Sequence, residues 1–351
     1  MRRRDTALAV LVALLWGTNF VAIRTGLDSV PPLLFLAVRF VVVCVPAVFL
    51  VRRPALPWRD LALIGLFTSL GQFALLYLSL HLGMPPGLSS LVLQAQVLLT
   101  VVIAAFWLRE RPSVGQRAGV ALGGAGLVTI AVGRGLSAPL LPLVVLVLAA
   151  VSWAVGNVLT RRAGTLTGRG AGLGVTVWSG LVVPVPALAL SLVFEGPAAI
   201  GTALGHLHWQ ALASTAYTAY LSSLVGYGIW NTLLGRYPVA KVTPFAMLVP
   251  VFGMGAAAVA FGERPRGLEL AGGLVLLAGV AVAVLRLRSG TEGMPAPAMG
   301  QQRPVVTAVA GRPAAPAPDS TLVAVDVEPP AGPPGEAADL VQLAPTTPGC
   351  R

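Results

Sequence analysis

Charge is scarce in this sequence: 11% of its residues are Asp, Glu, Lys or Arg, against 56% apolar, and mean hydropathy is +0.82. A soluble domain averages about 25% charged. The deficit excludes a soluble enzyme or binding module and leaves an integral membrane protein that crosses the bilayer repeatedly. Acids are scarcest where they would matter most. No Asp or Glu is expected within any span, and the three His fall at span ends or in loops. Paired Asp, Ser with His, and a zinc-binding His-Glu-x-x-His are therefore missing as intramembrane hydrolytic sites. A proton relay through buried carboxylates likewise has no carrier. Of two cysteines, Cys44 lies inside a run and Cys350 beside the last residue, so they make neither a metal spacing nor a disulfide pair. Gly-x-Gly fragments lie inside apolar stretches, where no phosphate is cradled. No cofactor and no metal are expected. Lysine is nearly absent (Lys241 alone) while Arg, Ala and Gly abound, the bias of a GC-rich bacterial genome. The net charge of +11 comes from Arg placed singly or in pairs between apolar runs. Such spacing is not the basic stripe of a nucleic-acid binder, so the expected partner is the lipid bilayer.

Ten apolar runs are present, each near the ~20 residues that a helix needs to cross a bilayer. They are Thr6–Ile23, Pro32–Val51, Leu61–Leu80, Met84–Leu108, Gly115–Gly133, Leu140–Thr160, Leu173–Phe194, Ala211–Leu234, Val242–Gly262 and Leu268–Leu285. The first follows Arg2, Arg3 and Arg4 as a secretory signal would. It is long for one, no small-x-small cleavage site closes it, and more runs follow, so it reads as the first span. From Ser289 the chain turns to Pro, Ala and Gly with scattered acids, the composition of a disordered tail. One set of loops holds sixteen Arg and Lys, the alternate set only four: Arg24, Arg134, Arg264 and Arg266. The positive-inside rule places the basic set and both termini in the cytoplasm of a bacterial inner membrane.

The two halves resemble each other. Trp16-Gly-Thr-Asn19 in the first run recurs loosely as Trp153-Ala-Val-Gly-Asn157 in the sixth, and Glu110-Arg-Pro after the fourth recurs as Glu263-Arg-Pro after the ninth. Five spans separate the copies, an odd number, so the second half must enter the membrane in the opposite sense. The expected fold class is an all-α polytopic membrane protein, ten transmembrane helices in two inverted five-helix repeats. Residues 1–136 form the first, 137–288 the second and 289–351 the tail. Inverted repeats are a transporter architecture, with the site at the midplane between them.

With this start, these paired turns and this span count, the chain resembles the EamA family of the drug/metabolite transporter superfamily. The stretches GMPPGLSSLVLQAQ, VGYGIWNTLLGRY and LLWGTNFVAIRTGL look most like those of its members that export O-acetylserine and cysteine-pathway metabolites. The likeness covers about Thr6 to Leu285. It implies a secondary transporter that exports small amino-acid-like metabolites by alternating access through a central polar cavity. Exporters of unrelated drugs, dyes or purines share the same fold and are the alternative. With no visible proton carrier, facilitated or weakly coupled transport is expected.

The fourth run supplies the first candidates. Ser89, Ser90, Gln94, Gln96 and Thr100 sit at depths where an unpaired amide costs several kcal/mol, roughly, so they face protein, water or ligand. Ser90 and Gln94 share one face of a helix, Gln96 and Thr100 the nearly opposite one. Arg39 is the only charge deep in a span. It either holds a substrate carboxylate with its forked donors or snorkels to the nearer surface. Gln72, Asn19 and Asn157 are polar strays that bind substrate or cross-link helices. Trp16, Trp153, Tyr227 and Trp230 offer π faces to an ammonium, or else form an interfacial belt. Pro250 reads as a gating hinge or a packing kink. Glu110 and Glu263 cap turns or pair with Arg at the membrane surface. The run Gly119, Gly123, Gly124 and Gly126 reads as close helix packing.

Overall fold

The computed structural model describes residues 1–135, 138–167, 173–206, 208–237 and 239–285. The expected tail and Cys350 lie outside these residues. All regular structure among them is helical. In chain order the long helices are α1 (Arg3–Gly26), α2 (Pro32–Leu50), α3 (Trp58–His81), α4 (Pro86–Trp107), α5 (Val114–Gly135), α6 (Leu141–Ala163), α7 (Leu173–Phe194), α8 (209–236), α9 (Thr243–Phe261) and α10 (Gly267–Leu285). A short helix, Gly196–Gly205, joins α7 to α8.

Nine of these, not the expected ten, are both long and apolar enough to cross a membrane. The exception is α8. It is helical throughout, but Ser214, Thr215, Tyr217, Thr218, Tyr220, Ser222, Ser223 and Tyr227 lower its hydropathy. Four of them, Ser214, Thr218, Ser222 and Ser223, are buried against the bundle, while Tyr220 is exposed.

Packing follows a reciprocal pattern. α5 lies along α10, and α2 along α7; α1 packs on α8 and α9, while α6 packs on α3 and α4. Small residues set the α5–α10 distance. A Cβ on Gly126 would meet the Leu276 amide at 2.5 Å, and one on Gly119 the Gly279 carbonyl at 2.6 Å. No side chain fits there, which is how membrane helices without a hydrophobic drive gain van der Waals contact.

Two helices carry π-helical turns, Leu66–Gly71 in α3 and Tyr217–Gly226 in α8. Widening a helix to the π repeat leaves carbonyls without their usual partners, and in lipid each must find another donor. Ser152 Oγ of α6 donates to the Phe67 carbonyl at 2.8 Å, and Trp16 Nε1 of α1 donates to the Ser222 carbonyl at 3.1 Å. Within α8 the Ser223 hydroxyl donates to the Thr218 carbonyl at 2.8 Å. Two further helices are irregular. α4 breaks at Leu93–Gln94, and α9 begins as a 3₁₀ segment over Thr243–Leu248.

Candidate functional site

A cavity of about 170 Å³ lies between α2, α3, α6, α7 and α8. Arg39, Phe73 and Tyr227 line its part near the middle of their helices. Ile64, Thr160 and Val175 line the part nearer the helix ends that precede or follow Arg59, Arg161 and Arg52.

Arg39 dominates the chemistry. Its side chain is 1% exposed, so it does not snorkel. Nη1 donates to Tyr77 Oη at 2.9 Å and Nη2 to Ser223 Oγ at 3.0 Å. The guanidinium lies over the Phe73 ring, 4.2 Å from its centroid, and 5.7 Å from that of Phe40. Nε has no hydrogen-bond partner, and no carboxylate pairs with this cation among the described residues. An arginine at the centre of a membrane helix costs about 2.5–3.5 kcal/mol even on the gentlest scales. A phenol, a hydroxyl and a π face offset part of that and leave the charge unneutralised.

Asn157 sets the second polar group. Asn157 lines the cavity; its Nδ2 donates to Gln96 Oε1 at 2.7 Å and to Thr100 Oγ1 at 3.3 Å, which joins α6 to α4. Gln96 and Thr100 are not in the lining. Trp153, one turn earlier on α6, also lines the cavity, as does Tyr227. Behind Tyr227 the ring of Trp16 packs at 5.1 Å from it and at 5.2 Å from Trp230. Of the aromatic candidates, then, Trp153 and Tyr227 reach the cavity, while Trp16, outside its lining, packs against both Tyr227 and Trp230.

The remaining candidates lie elsewhere. Gln94 turns away from Gln96: its Nε2 donates to the Ala246 carbonyl at 3.3 Å and ties the break in α4 to the 3₁₀ segment of α9. Gln72 is buried outside the cavity lining. Asn19 is buried with its Oδ1 unpartnered, also away from the cavity. Pro250 falls in the first turn of the α-helical part of α9, where a missing amide breaks no α-helical hydrogen bond. Phe40, Cys44, Thr68, Ser69, Phe73 and Ser223 line the cavity without having been singled out in the sequence. The four-residue spacing of Phe73 and Tyr77, which puts both on one face of α3, was the available signal.

The carboxylates sit at helix ends. Glu195 Oε1 accepts from the Leu33 amide at 2.6 Å and Oε2 from Leu34 at 3.1 Å, so α7 caps the start of α2. Glu263 does the same for α4, accepting from Gly87 at 3.0 Å and Leu88 at 3.4 Å. Negative charge at a helix start is favourable. Burial nevertheless pushes the Glu263 carboxyl above its usual range, with the two amide bonds pulling the other way. Glu110 pairs with Arg161 at 2.9 Å on the surface. Glu269, in the first turn of α10, is buried beside Arg134 at 3.8 Å, and Asp5 and Asp60 stand in the first turns of α1 and α3, so acids do enter the edges of spans. Among the described residues no group of three His, Cys, Asp or Glu is placed to hold a metal.

A bundle of many membrane-length helices around a small cavity fits a membrane transporter. The chain belongs to the EamA-like transporter family, whose model matches residues 6–132 and 140–285. The protein is accordingly a multi-pass membrane transporter and not an enzyme. It is 39% identical over 290 residues to the "Probable amino-acid metabolite efflux pump" of Escherichia coli (strain K12), covering 82% of this chain and 97% of that protein. The Salmonella typhimurium protein of the same name is 40% identical over the same shares. The "Probable terminal-alkyne amino-acid exporter" of Streptantibioticus cattleyicolor is 34% identical over 77% of this chain and 90% of its own. A solved crystal structure matches with a TM-score of 0.54 at 22% identity, over 84% of this chain and all of the other, which bears on the fold alone.

Proposed function

We propose that this transporter exports small amino-acid-like metabolites, of the O-acetylserine and cysteine-pathway type, by alternating access across the bacterial inner membrane. The observation that carries the reading is Arg39: a buried, unneutralised guanidinium in a cavity is a ready partner for a substrate carboxylate. Asn157, hydrogen-bonded to Gln96, supplies an amide contact, and Trp153 and Tyr227 supply π faces. A cavity of about 170 Å³ falls below the ~300–1,000 Å³ of drug-sized pockets, which favours metabolites over drugs or dyes. The names of the relatives support the same class.

The two halves, residues 1–136 and 137–288, are inverted repeats in this reading. Support comes from their exchanged contacts: α1 serves the π turn of α8 as α6 serves that of α3, and equivalent helices pair as α5 with α10 and α2 with α7. Both termini lie in the cytoplasm, as the sixteen-to-four distribution of basic residues supports, and α8 is the tenth span. The cavity then extends from the midplane toward the cytoplasm, where an exporter loads. Transport is facilitated or weakly coupled. The test is efflux from vesicles loaded with labelled O-acetylserine, cysteine and a panel of other amino acids. Export of one or more of these is expected; export of none overturns the substrate class.

A further inference from the structure

The cavity presents a cation with no anion to answer it. Arg39 is buried, its two bonded nitrogens engage a phenol and a hydroxyl, and its Nε is unpartnered. The described residues lining the cavity include no Asp and no Glu. A zwitterionic amino acid brings a carboxylate, which the unneutralised Arg39 charge at the cavity lining attracts. It also brings an ammonium, for which the lining offers only neutral groups. The Phe73 face is already occupied by Arg39 itself and the Asn157 amide donates to Gln96, so an ammonium is left with the π faces of Trp153 and Tyr227 and no carboxylate. In so small a space the ammonium would also lie within the field of the guanidinium, where like charges repel strongly because the surroundings are of low dielectric. A desolvated ammonium without a counter-charge is a cost that an acylated nitrogen does not carry.

We infer that the cavity selects monocarboxylate anions whose nitrogen bears no charge, N-acylated amino acids foremost, over the parent zwitterions. The inference rests on this cavity being the substrate site of the exporter. It separates two molecules of identical composition: N-acetyl-L-serine is an anion, and its isomer O-acetyl-L-serine is a zwitterion, so size plays no part in the comparison.

The experiment is thermal unfolding of the purified full chain in lipid nanodiscs, at mildly acidic pH where the acyl group stays on oxygen. Titrants are N-acetyl-L-serine, O-acetyl-L-serine and the cationic L-serine methyl ester. N-acetyl-L-serine is expected to reach half its maximal stabilisation at about tenfold lower concentration than O-acetyl-L-serine, with the methyl ester weakest, and Arg39→Gln is expected to level the order. A zwitterion that binds tighter than the anion overturns the inference alone. So does an anion preference that survives Arg39→Gln. Stabilisation by none of the three overturns the inference together with the substrate reading beneath it. Where Arg39→Gln does not fold, the order in the unaltered protein decides the matter.

Discussion

Asn157 Nδ2 lies 2.7 Å from Gln96 Oε1, so one hydrogen bond joins α6 to α4 beside the cavity that Asn157 lines. Gln94, two residues away, bonds the Ala246 carbonyl instead. The two glutamines therefore do different work, and substitution separates them. Gln96→Leu and Asn157→Leu are expected to cut export at least tenfold while costing only about 0.6–1.7 kcal/mol of stability. Gln94→Leu is expected to leave the KM for substrate unchanged. Initial efflux rates and thermal unfolding of the three variants check this; a KM raised by Gln94→Leu would place that side chain at the substrate instead.

The glycines of α5 divide by what faces them. A Cβ on Gly126 would meet the backbone of α10 at 2.5 Å, while one on Gly124 would meet nothing within 4 Å. Gly126→Ala is expected to force the helices apart and lower the yield of monodisperse protein. Gly124→Ala is expected to be neutral or to stabilise by up to about 1 kcal/mol through helix propensity. Size-exclusion profiles and unfolding midpoints of the two variants are the check.

How far the sequence carried the account is visible in particular residues. Polar groups in apolar runs announce themselves because lipid rejects them, so nine of the spans were legible and Arg39 and Asn157, which line the cavity, stood out as candidates. The split between Gln94 and Gln96 was only half legible. Helical spacing put them on different faces, but which partner each face met depended on the break at Leu93–Gln94 and on the neighbouring helices. The π turns were hidden, since Leu66–Gly71 and Tyr217–Gly226 differ from ordinary helix only in their density of Ser, Thr and Gly. Phe73 and Ser223 were hidden with them: an aromatic or a hydroxyl in a membrane helix is ordinary until the fold puts it beside a guanidinium.

Glu195 holds the start of α2, the helix that carries Arg39, through the amides of Leu33 and Leu34. Removing that carboxylate leaves two donors to water and costs about 1–2 kcal/mol, the range for a lost cap. Glu195→Ala is expected to raise the hydrogen-exchange rates of the Leu33 and Leu34 amides without altering those of α4. Unchanged exchange at both would mean that the cap is not what orders this end of α2.

Glu263 gives a signed pH dependence. Burial raises its pKa in the folded protein above the ordinary carboxylate value, although the Gly87 and Leu88 amides oppose the rise. The folded state therefore binds this proton more tightly than the unfolded chain does. The associated stability is present below the ordinary pKa of about 4.3 and is lost as pH climbs through the raised value. Glu263→Gln, which mimics the protonated side chain, is expected to unfold at a higher temperature than the unaltered protein at pH near 7.5 and at the same temperature near pH 4. A lower midpoint for the Gln variant at neutral pH would reverse the sign.

Cys44 lines the same cavity as Arg39 and so reports on its occupancy. In a Cys350→Ser background, the rate at which a small thiol reagent modifies Cys44 can be followed as O-acetylserine or its N-acyl isomer is added. If the cavity beneath Arg39 is where the exported molecule sits, the substrate slows modification in a saturable way, and Arg39→Gln removes the protection. Undiminished labelling of Cys44 at concentrations that saturate export would contradict it.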